Sequence, residues 1–288
     1  MILILVMALA ALALPRPAGV VNAQEETGTT VYLPAVSTTL SAALPPYAIQ
    51  IAGLSQITAE AAFSNMSARQ VEIAKENLIA ELNQAFPSIL EAIVASGAGY
   101  ARVYIDWNSI QPVENGEYKW EFYDLRLPAI HAAGLGMIAT VTNAPAWAKN
   151  SDDPCAIISN VDQYYAFLQA IHSRYPYIKI WEILNEPDAV PPYRCGQGVM
   201  NYGYVGDQYA GLLQGAYNLL KTLDPQAKVI LGGMAYDHFV DEDPNDPKFN
   251  RYFIDEVIAS GAAPYMDAIN FHYFKDYASG WEGWTGDG

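Results

Sequence analysis

Residues 178–188 read IKIWEILNEPD, and this stretch says more about the fold than any other part of the chain. Its first residues are mostly bulky or β-branched apolar types, which predicts a buried strand over Ile178–Leu184. The strand runs directly into Asn185 and Glu186, and Pro187 restricts the backbone of the turn that follows. A carboxyl group is therefore predicted at the C-terminal end of a buried strand.

Strand-like and helix-like segments alternate on both sides of this stretch. Apolar runs rich in β-forming residues predict six strands, at 47–54, 101–107, 137–142, 178–184, 229–231 and 268–271. Apolar residues recur with a helical period at 78–94, 123–133, 161–174, 207–223 and 251–260. Pro87 is expected to kink or split the first of these helices. The alternation indicates βαβ units and a parallel sheet.

The predicted fold class is α/β, a (β/α)8 TIM barrel of which about six of the eight βα units lie in this chain. A doubly wound sheet would require a glycine-rich phosphate-binding turn after its first strand, and no such turn follows residue 54. Residues 134–139, GLGMIA, match the pattern G-x-G-x-x-A. They precede a predicted strand instead of joining a strand to a helix, so we interpret the match as chance.

The N-terminal residues have the pattern of an export signal. Ile2–Leu14 is an uninterrupted apolar run, and Val21–Ala23 has the small-x-small pattern that signal peptidases cut. The run is shorter than the roughly 20 residues that a membrane-spanning helix needs. We therefore predict a signal peptide over 1–23, a flexible lead-in over 24–46 and a folded domain over 47–288, secreted and not attached to a membrane after cleavage.

Composition and spacing exclude several classes of partner. The net charge of −16 repels phosphate backbones, so no nucleic-acid partner is predicted. The four histidines lack metal-ligand spacing, no G-x-S-x-G nucleophile elbow occurs, and no cofactor is predicted. Cys155 and Cys195 also lack the spacing of a metal site; in an exported protein they either form one disulfide or remain two thiols. No oligomeric state is predicted.

Further motifs occur in an order that is familiar from one enzyme superfamily. Around the second strand and after the third they are Gly97-Ala98, Arg102, Asp106-Trp107, Ile110, Pro112, Gly116, Tyr118, Trp120, Asp124 and Pro145-Ala146-Trp147-Ala148. With Asn185-Glu186-Pro187 they resemble the retaining (β/α)8 glycoside hydrolases called clan A, in particular the β-xylosidase-like and cellulase-like members. The resemblance extends from about Tyr47 to Tyr273 and is specific to the superfamily, not to a substrate.

The resemblance implies a glycoside hydrolase that cleaves a polysaccharide or oligosaccharide by double displacement. Glu186 would be the acid/base, and Asn185 would hydrogen-bond the sugar hydroxyl next to the anomeric carbon. Double displacement needs a second carboxyl group about 5 to 5.5 Å away. The superfamily places it at the end of strand seven, so the nucleophilic glutamate is expected beyond Gly288. Glu282, ten residues after His272, is interpreted as a loop residue.

The resemblance also implies substrate-binding roles for four further residues. Arg102 would lie beneath the carboxylate pair, and Trp147 would offer an apolar face to a sugar ring. His272 and Tyr273 would lie near the nucleophile. Structural alternatives stay open, because Arg102 could be a core ion-pair partner, His272 a strand-end histidine without a ligand, and Trp147 a packing residue. We interpret Glu182 as a structural polar residue of the barrel.

Two functions from different classes remain. The first is a secreted retaining β-glycoside hydrolase. The second is a non-catalytic carbohydrate-binding protein, or a decayed barrel, that has kept its aromatic residues and lost the catalytic pair. Fold alone does not separate them, because barrels host many functions. The intact Asn185-Glu186-Pro187 motif favours the enzyme.

Overall fold

The computed structural model describes residues 48–51, 67–151, 156–190, 204–235 and 249–272. The predicted signal peptide and lead-in lie outside the described residues. Cys155, Cys195, Tyr273 and Glu282 also lie outside them.

Five parallel strands form one sheet whose spatial order is the order of the sequence. The strands are β1 (Ala48–Ile51), β2 (Tyr100–Asp106), β3 (Gly136–Thr142), β4 (Ile180–Ile183) and β5 (Lys228–Leu231). A doubly wound sheet would reverse its strand order at a switch point, whereas a (β/α)8 barrel adds each strand beside the last. The predicted fold class is therefore confirmed as α/β with barrel strand order, and the barrel is not closed within the described residues.

Helices occupy the crossovers between the strands. They are α1 (Ala68–Ala95), α2 (Trp107–Ile110), α3 (Glu121–Ala132), α4 (Val161–Arg174), α5 (Gly206–Leu223) and α6 (Phe253–Ala259), with 3₁₀ turns at Ala146–Ala148 and Ala263–Tyr265. The five longer helices correspond to the predicted ones. Trp107 was predicted to end a strand, and the structure corrects this, because the carboxylate of Asp106 accepts a hydrogen bond from the backbone N–H of Ser109 at 2.9 Å and starts α2.

Helix α1 runs through Pro87 without a break, so the proline does not split the helix, and a kink at Pro87 stays a prediction. Phe86 and Ile93 on either side are both buried in the core, and this packing holds the helical path where one backbone donor is missing. Among the described residues, 69–95 alone has the length and mean hydropathy, 1.3, of a membrane-spanning segment. Because part of this helix packs on the core, those two properties do not assign it to a membrane.

The predicted sixth strand, 268–271, is not continuous in the structure. Two isolated parallel bridges take its place, Ile230–Ala268 and Met234–Phe271. Between them, Gly232 donates its N–H to the hydroxyl of Tyr209 at 2.8 Å, and Gly233 donates its N–H to the carboxylate of Glu182 at 2.9 Å. The ladder is interrupted because these backbone donors are used elsewhere.

The two faces of the sheet carry different side chains. One face packs against all the longer helices and forms the large apolar core, with Val103, Ile105, Val141, Ile183 and Val229 among its members. The other face carries a small separate apolar cluster of Ala48, Tyr100, Ile138, Ile180 and Ile230. Nearer the C-terminal ends of the strands, that second face becomes polar, with Gln50, Arg102, Thr140 and Glu182. Layers of this kind are typical of a barrel interior.

Candidate active site

Glu186 lies in a strained turn just after β4. Leu184 and Glu186 have φ angles of 65° and 43°, a left-handed conformation that costs a non-glycine residue about 1–2 kcal/mol. Two backbone hydrogen bonds hold the turn: the N–H of Leu184 donates to the carbonyl of Val141 at 3.1 Å, and that of Glu186 to the carbonyl of Gly233 at 3.0 Å. The carboxyl-bearing turn is thus anchored to the ends of both neighbouring strands.

Asp188 fixes the far side of the same turn. It is fully buried, and both its carboxylate oxygens lie 3.1 Å from the backbone N–H of Ala235. Its carbonyl accepts a hydrogen bond from the N–H of Asn250 at 2.7 Å. The segment from Leu184 to Asp188 is therefore held by β3 at its first residue and by the chain that follows β5 at Glu186 and Asp188.

The carboxyl group of Glu186 contacts His272. Nδ1 of His272 lies 2.9 Å from Oε1 of Glu186, and Nε2 of the same ring lies 3.3 Å from Nη2 of Arg102. Glu186 is buried, with 8% of its surface exposed. The imidazole therefore connects the carboxyl group to a buried guanidinium group.

Arg102 and Glu182 form a buried bidentate ion pair on the inner face. Nε and Nη2 of Arg102 each lie 2.7 Å from a carboxylate oxygen of Glu182, and the two residues are 4% and 0% exposed. Burial alone would raise the pKa of Glu182, but the charge and hydrogen bonds of Arg102 outweigh it and hold this pKa below its ordinary value. Further donors to Glu182 are Thr140 Oγ1 at 2.6 Å, and Gly233 N and Asn270 Nδ2 at 2.9 Å. Glu182 is therefore an ionised structural group.

Arg102 also fixes the amide of Asn185. The Oδ1 atom of Asn185 accepts hydrogen bonds from Nη2 of Arg102 at 3.1 Å and from the hydroxyl of Tyr104 at 2.8 Å. Because a guanidinium group only donates, these contacts identify the oxygen end of the amide and direct its NH2 group away from Arg102. Burial raises the pKa of Tyr104, which keeps its hydroxyl a neutral donor.

Trp147 lies in a different environment. Its Nε1 donates to the carbonyl of Gln111 at 3.1 Å, and its ring meets that of the buried Trp107 edge-on at 5.3 Å. The ring is partly exposed, and its proposed contact with a sugar stays a prediction.

The structure brings four of the predicted site residues into one network: Glu186, Asn185, Arg102 and His272. The sequence reasoning missed Tyr104, although its spacing of two from Arg102 puts both on the same face of a strand. It also missed the contact of His272 with Glu186. Among the described residues, no group of three or more histidine, cysteine, aspartate or glutamate side chains is arranged to hold a metal ion.

No protein-family model matches the chain, and no curated protein matches it. Among solved structures, a family 39 glycoside hydrolase from the gut symbiont Bacteroides cellulosilyticus WH2 is 20% identical, with a TM-score of 0.45 over 65% of this chain and 34% of that one. A β-glucosidase from Exiguobacterium marinum is 17% identical, with a TM-score of 0.44 over 56% and 40%. A family 1 β-glucosidase from Thermotoga maritima is 15% identical, with a TM-score of 0.41 over 56% and 40%. The chain spans less than half the length of each.

Proposed function

We propose that this chain supplies the acid/base half of the active site of a secreted retaining β-glycoside hydrolase. The observation that carries the proposal is the position of Glu186: a buried carboxyl group at the C-terminal end of the fourth strand, in a strained turn anchored on both sides. Active sites of (β/α)8 barrels are built at this end of the strands. Strain of this kind persists where the surrounding structure holds it and is concentrated at functional sites.

In the proposed reaction Glu186 first acts as an acid. It gives its proton to the glycosidic oxygen, which takes the electron pair of the breaking C–O bond, while a second carboxylate bonds to the anomeric carbon. Glu186 then acts as a base and takes a proton from the water that hydrolyses this glycosyl-enzyme. Asn185, with its amide orientation set by Arg102 and Tyr104, would donate from its NH2 group to the neighbouring sugar hydroxyl.

The second carboxylate is proposed to be a glutamate outside the described residues, at the end of a seventh strand. Glu182 does not suit this role, because it is fully buried and its oxygens accept from Arg102 and three other donors. Asp188 does not suit it either, because both its oxygens face the N–H of Ala235.

A neutral polysaccharide or oligosaccharide is the proposed substrate. The acidic surface does not oppose an uncharged ligand. The apolar N-terminal run and the Val21–Ala23 pattern support action outside the cell, where such polymers are met.

The test is to assay the complete gene product on aryl β-glycosides whose leaving groups differ in acidity, beside the Glu186→Gln variant. For poor leaving groups we expect kcat/KM to fall about 100- to 10,000-fold, the usual contribution of general acid catalysis. For leaving groups that depart without a proton, we expect a much smaller loss. The matched control is Glu117→Gln, which changes an exposed carboxylate in the same way and should leave activity unchanged.

Two outcomes contradict the proposal. An equal loss for all leaving groups would make Glu186 a structural residue. An inactive wild type that binds oligosaccharides, with binding that survives Glu186→Gln, would instead identify a non-catalytic carbohydrate-binding protein.

A further inference from the structure

We propose that Arg102 and Gly233 hold His272 with its ring proton on Nδ1 and not on Nε2, which makes Oε2 of Glu186 the oxygen that carries the transferable proton. The tautomer follows from the contacts of the ring alone. Its catalytic consequence rests on the proposed function, and the two are tested separately below.

The guanidinium group of Arg102 determines which ring nitrogen is protonated. Nη2 of Arg102 lies 3.3 Å from Nε2 of His272, and a guanidinium group has only donors. A proton on Nε2, in either the singly or the doubly protonated ring, would point at a group that has only donors. Arg102 is not able to turn away, because Nε and Nη2 both bind the carboxylate of Glu182. The two N–H groups of Nη2 are already directed at Glu182 and Asn185, so Nε2 faces a guanidinium nitrogen that is not able to accept a proton from it. Nε2 is therefore unprotonated, and the ring proton lies on Nδ1.

Gly233 makes room for the ring in this position. A Cβ atom at residue 233 would lie 2.1 Å from Nε2 and 2.5 Å from Cδ2 of His272, so any other residue would displace the imidazole. The N–H of Gly233 donates to the carboxylate of Glu182, and its carbonyl accepts from the backbone N–H of Glu186. The N–H of His272 is bonded to the carbonyl of Met234 at 2.8 Å, which fixes the base of the side chain. Gly233 thus contacts the ring of His272, the carboxylate of Glu182 and the backbone of Glu186 at once.

The consequence concerns the two oxygens of Glu186. With its proton on Nδ1, His272 donates to Oε1 at 2.9 Å, so a proton on Oε1 could not point along that contact. The carbonyl oxygen of a carboxylic acid is a better acceptor than its hydroxyl oxygen, so Oε1 is the carbonyl oxygen and the acid form of Glu186 carries its proton on Oε2. In the proposed reaction the Oε2–H bond breaks as an O–H bond forms on the leaving oxygen. A proton from the attacking water returns to Oε2 in the second step.

The tautomer is measured by long-range 1H–15N NMR of the histidine rings in the full chain. The His272→Gln variant identifies which ring signals belong to residue 272, and the rings of His131 and His172 serve as internal references. We expect a protonated Nδ1 and an unprotonated Nε2 at neutral pH. A ring protonated on Nε2, or on both nitrogens, would overturn the proposal without reference to any activity.

The Gly233→Ala variant tests the consequence. We expect it to lose the Nδ1–H signal pattern of His272 and to lower kcat on poor leaving groups about 100-fold, as expected for a displaced catalytic group. The matched control is Gly211→Ala in α5, where an added Cβ meets nothing within 4 Å, and both readouts should be unchanged there. Loss of the tautomer without loss of kcat would refute the Oε2 assignment. A wild type without glycosidase activity contradicts the proposed function only, since the NMR result still decides the tautomer.

Discussion

The Glu182→Gln variant tests whether the ion pair with Arg102 organises the inner face of the sheet. The substitution keeps the size of the side chain and one amide oxygen, but it leaves the charge of Arg102 buried at 4% exposure without its counter-ion. Breaking a buried pair in this way costs about 3–5 kcal/mol. This is a large part of the roughly 5–15 kcal/mol by which a domain is stable. Because each kcal/mol lowers the melting temperature of a domain of this size by about 2–4 °C, we expect it to fall by about 6–20 °C.

Thermal and guanidinium chloride unfolding, followed by circular dichroism, measure the loss. The exposed Glu117→Gln substitution is the control and should change the free energy of unfolding by less than about 0.5 kcal/mol. A double variant, Glu182→Gln with Arg102→Met, removes both charges and should recover part of the loss. A loss below about 1 kcal/mol in the single variant, or a double variant as unstable as the sum of both single ones, would refute the reasoning.

The difference in the free energy of unfolding between the wild type and Glu182→Gln should depend on pH with a definite sign. The pKa of Glu182 is lower in the folded protein than in the unfolded chain, where it is about 4.3. The ion pair therefore stabilises the fold fully above that pH, and its contribution is lost as the pH falls through the lower folded value. The wild type and Glu182→Gln should converge in stability in acid.

Substituting two glycines of α5 should have opposite effects on the urea midpoint of unfolding. Gly206→Ala places a Cβ 2.2 Å from that of Glu256 and should lose about 1–3 kcal/mol, whereas Gly211→Ala, with open space, should gain about 0.4–1 kcal/mol; equal midpoints would contradict this packing. At the surface, Asp124→Asn breaks an ion pair with Arg174 that is about two-fifths exposed. It should cost less than about 1 kcal/mol, and added salt should reduce the difference; a larger, salt-independent loss would be inconsistent with a solvated pair.

Much of the fold follows from local sequence patterns. The predicted helix over 161–174 has the bounds of α4, because its apolar positions keep a clear helical period. The predicted sixth strand, 268–271, lies beside β5 but is interrupted, for a reason that no local pattern contains. Gly232 and Gly233 give their N–H groups to Tyr209 and Glu182, which lie far away in the sequence. Tertiary hydrogen bonds therefore determine where the pairing between β5 and residues 268–271 is interrupted.

Several residues of the candidate site were predicted from the sequence, but the contacts between them were not. Glu186 and Asn185 could be placed because they end a recognisable strand. The resemblance implied that Arg102 lies beneath a carboxylate pair, and the structure shows its bidentate partner to be Glu182, 80 positions along the chain. Which carboxylate a buried arginine binds depends on strand register, and register across a parallel sheet is set by packing of whole elements.

The left-handed backbone at Leu184 and Glu186 also bears on how this chain can be improved. At a φ of 65° a leucine has a higher conformational energy than glycine or asparagine would have, so Leu184 is an early target for a redesign aimed at heat resistance. The replacement would relax the turn and allow the carboxyl group of Glu186 to occupy a wider range of positions. A substitution at residue 184 that makes the fold more stable would therefore position Glu186 less well.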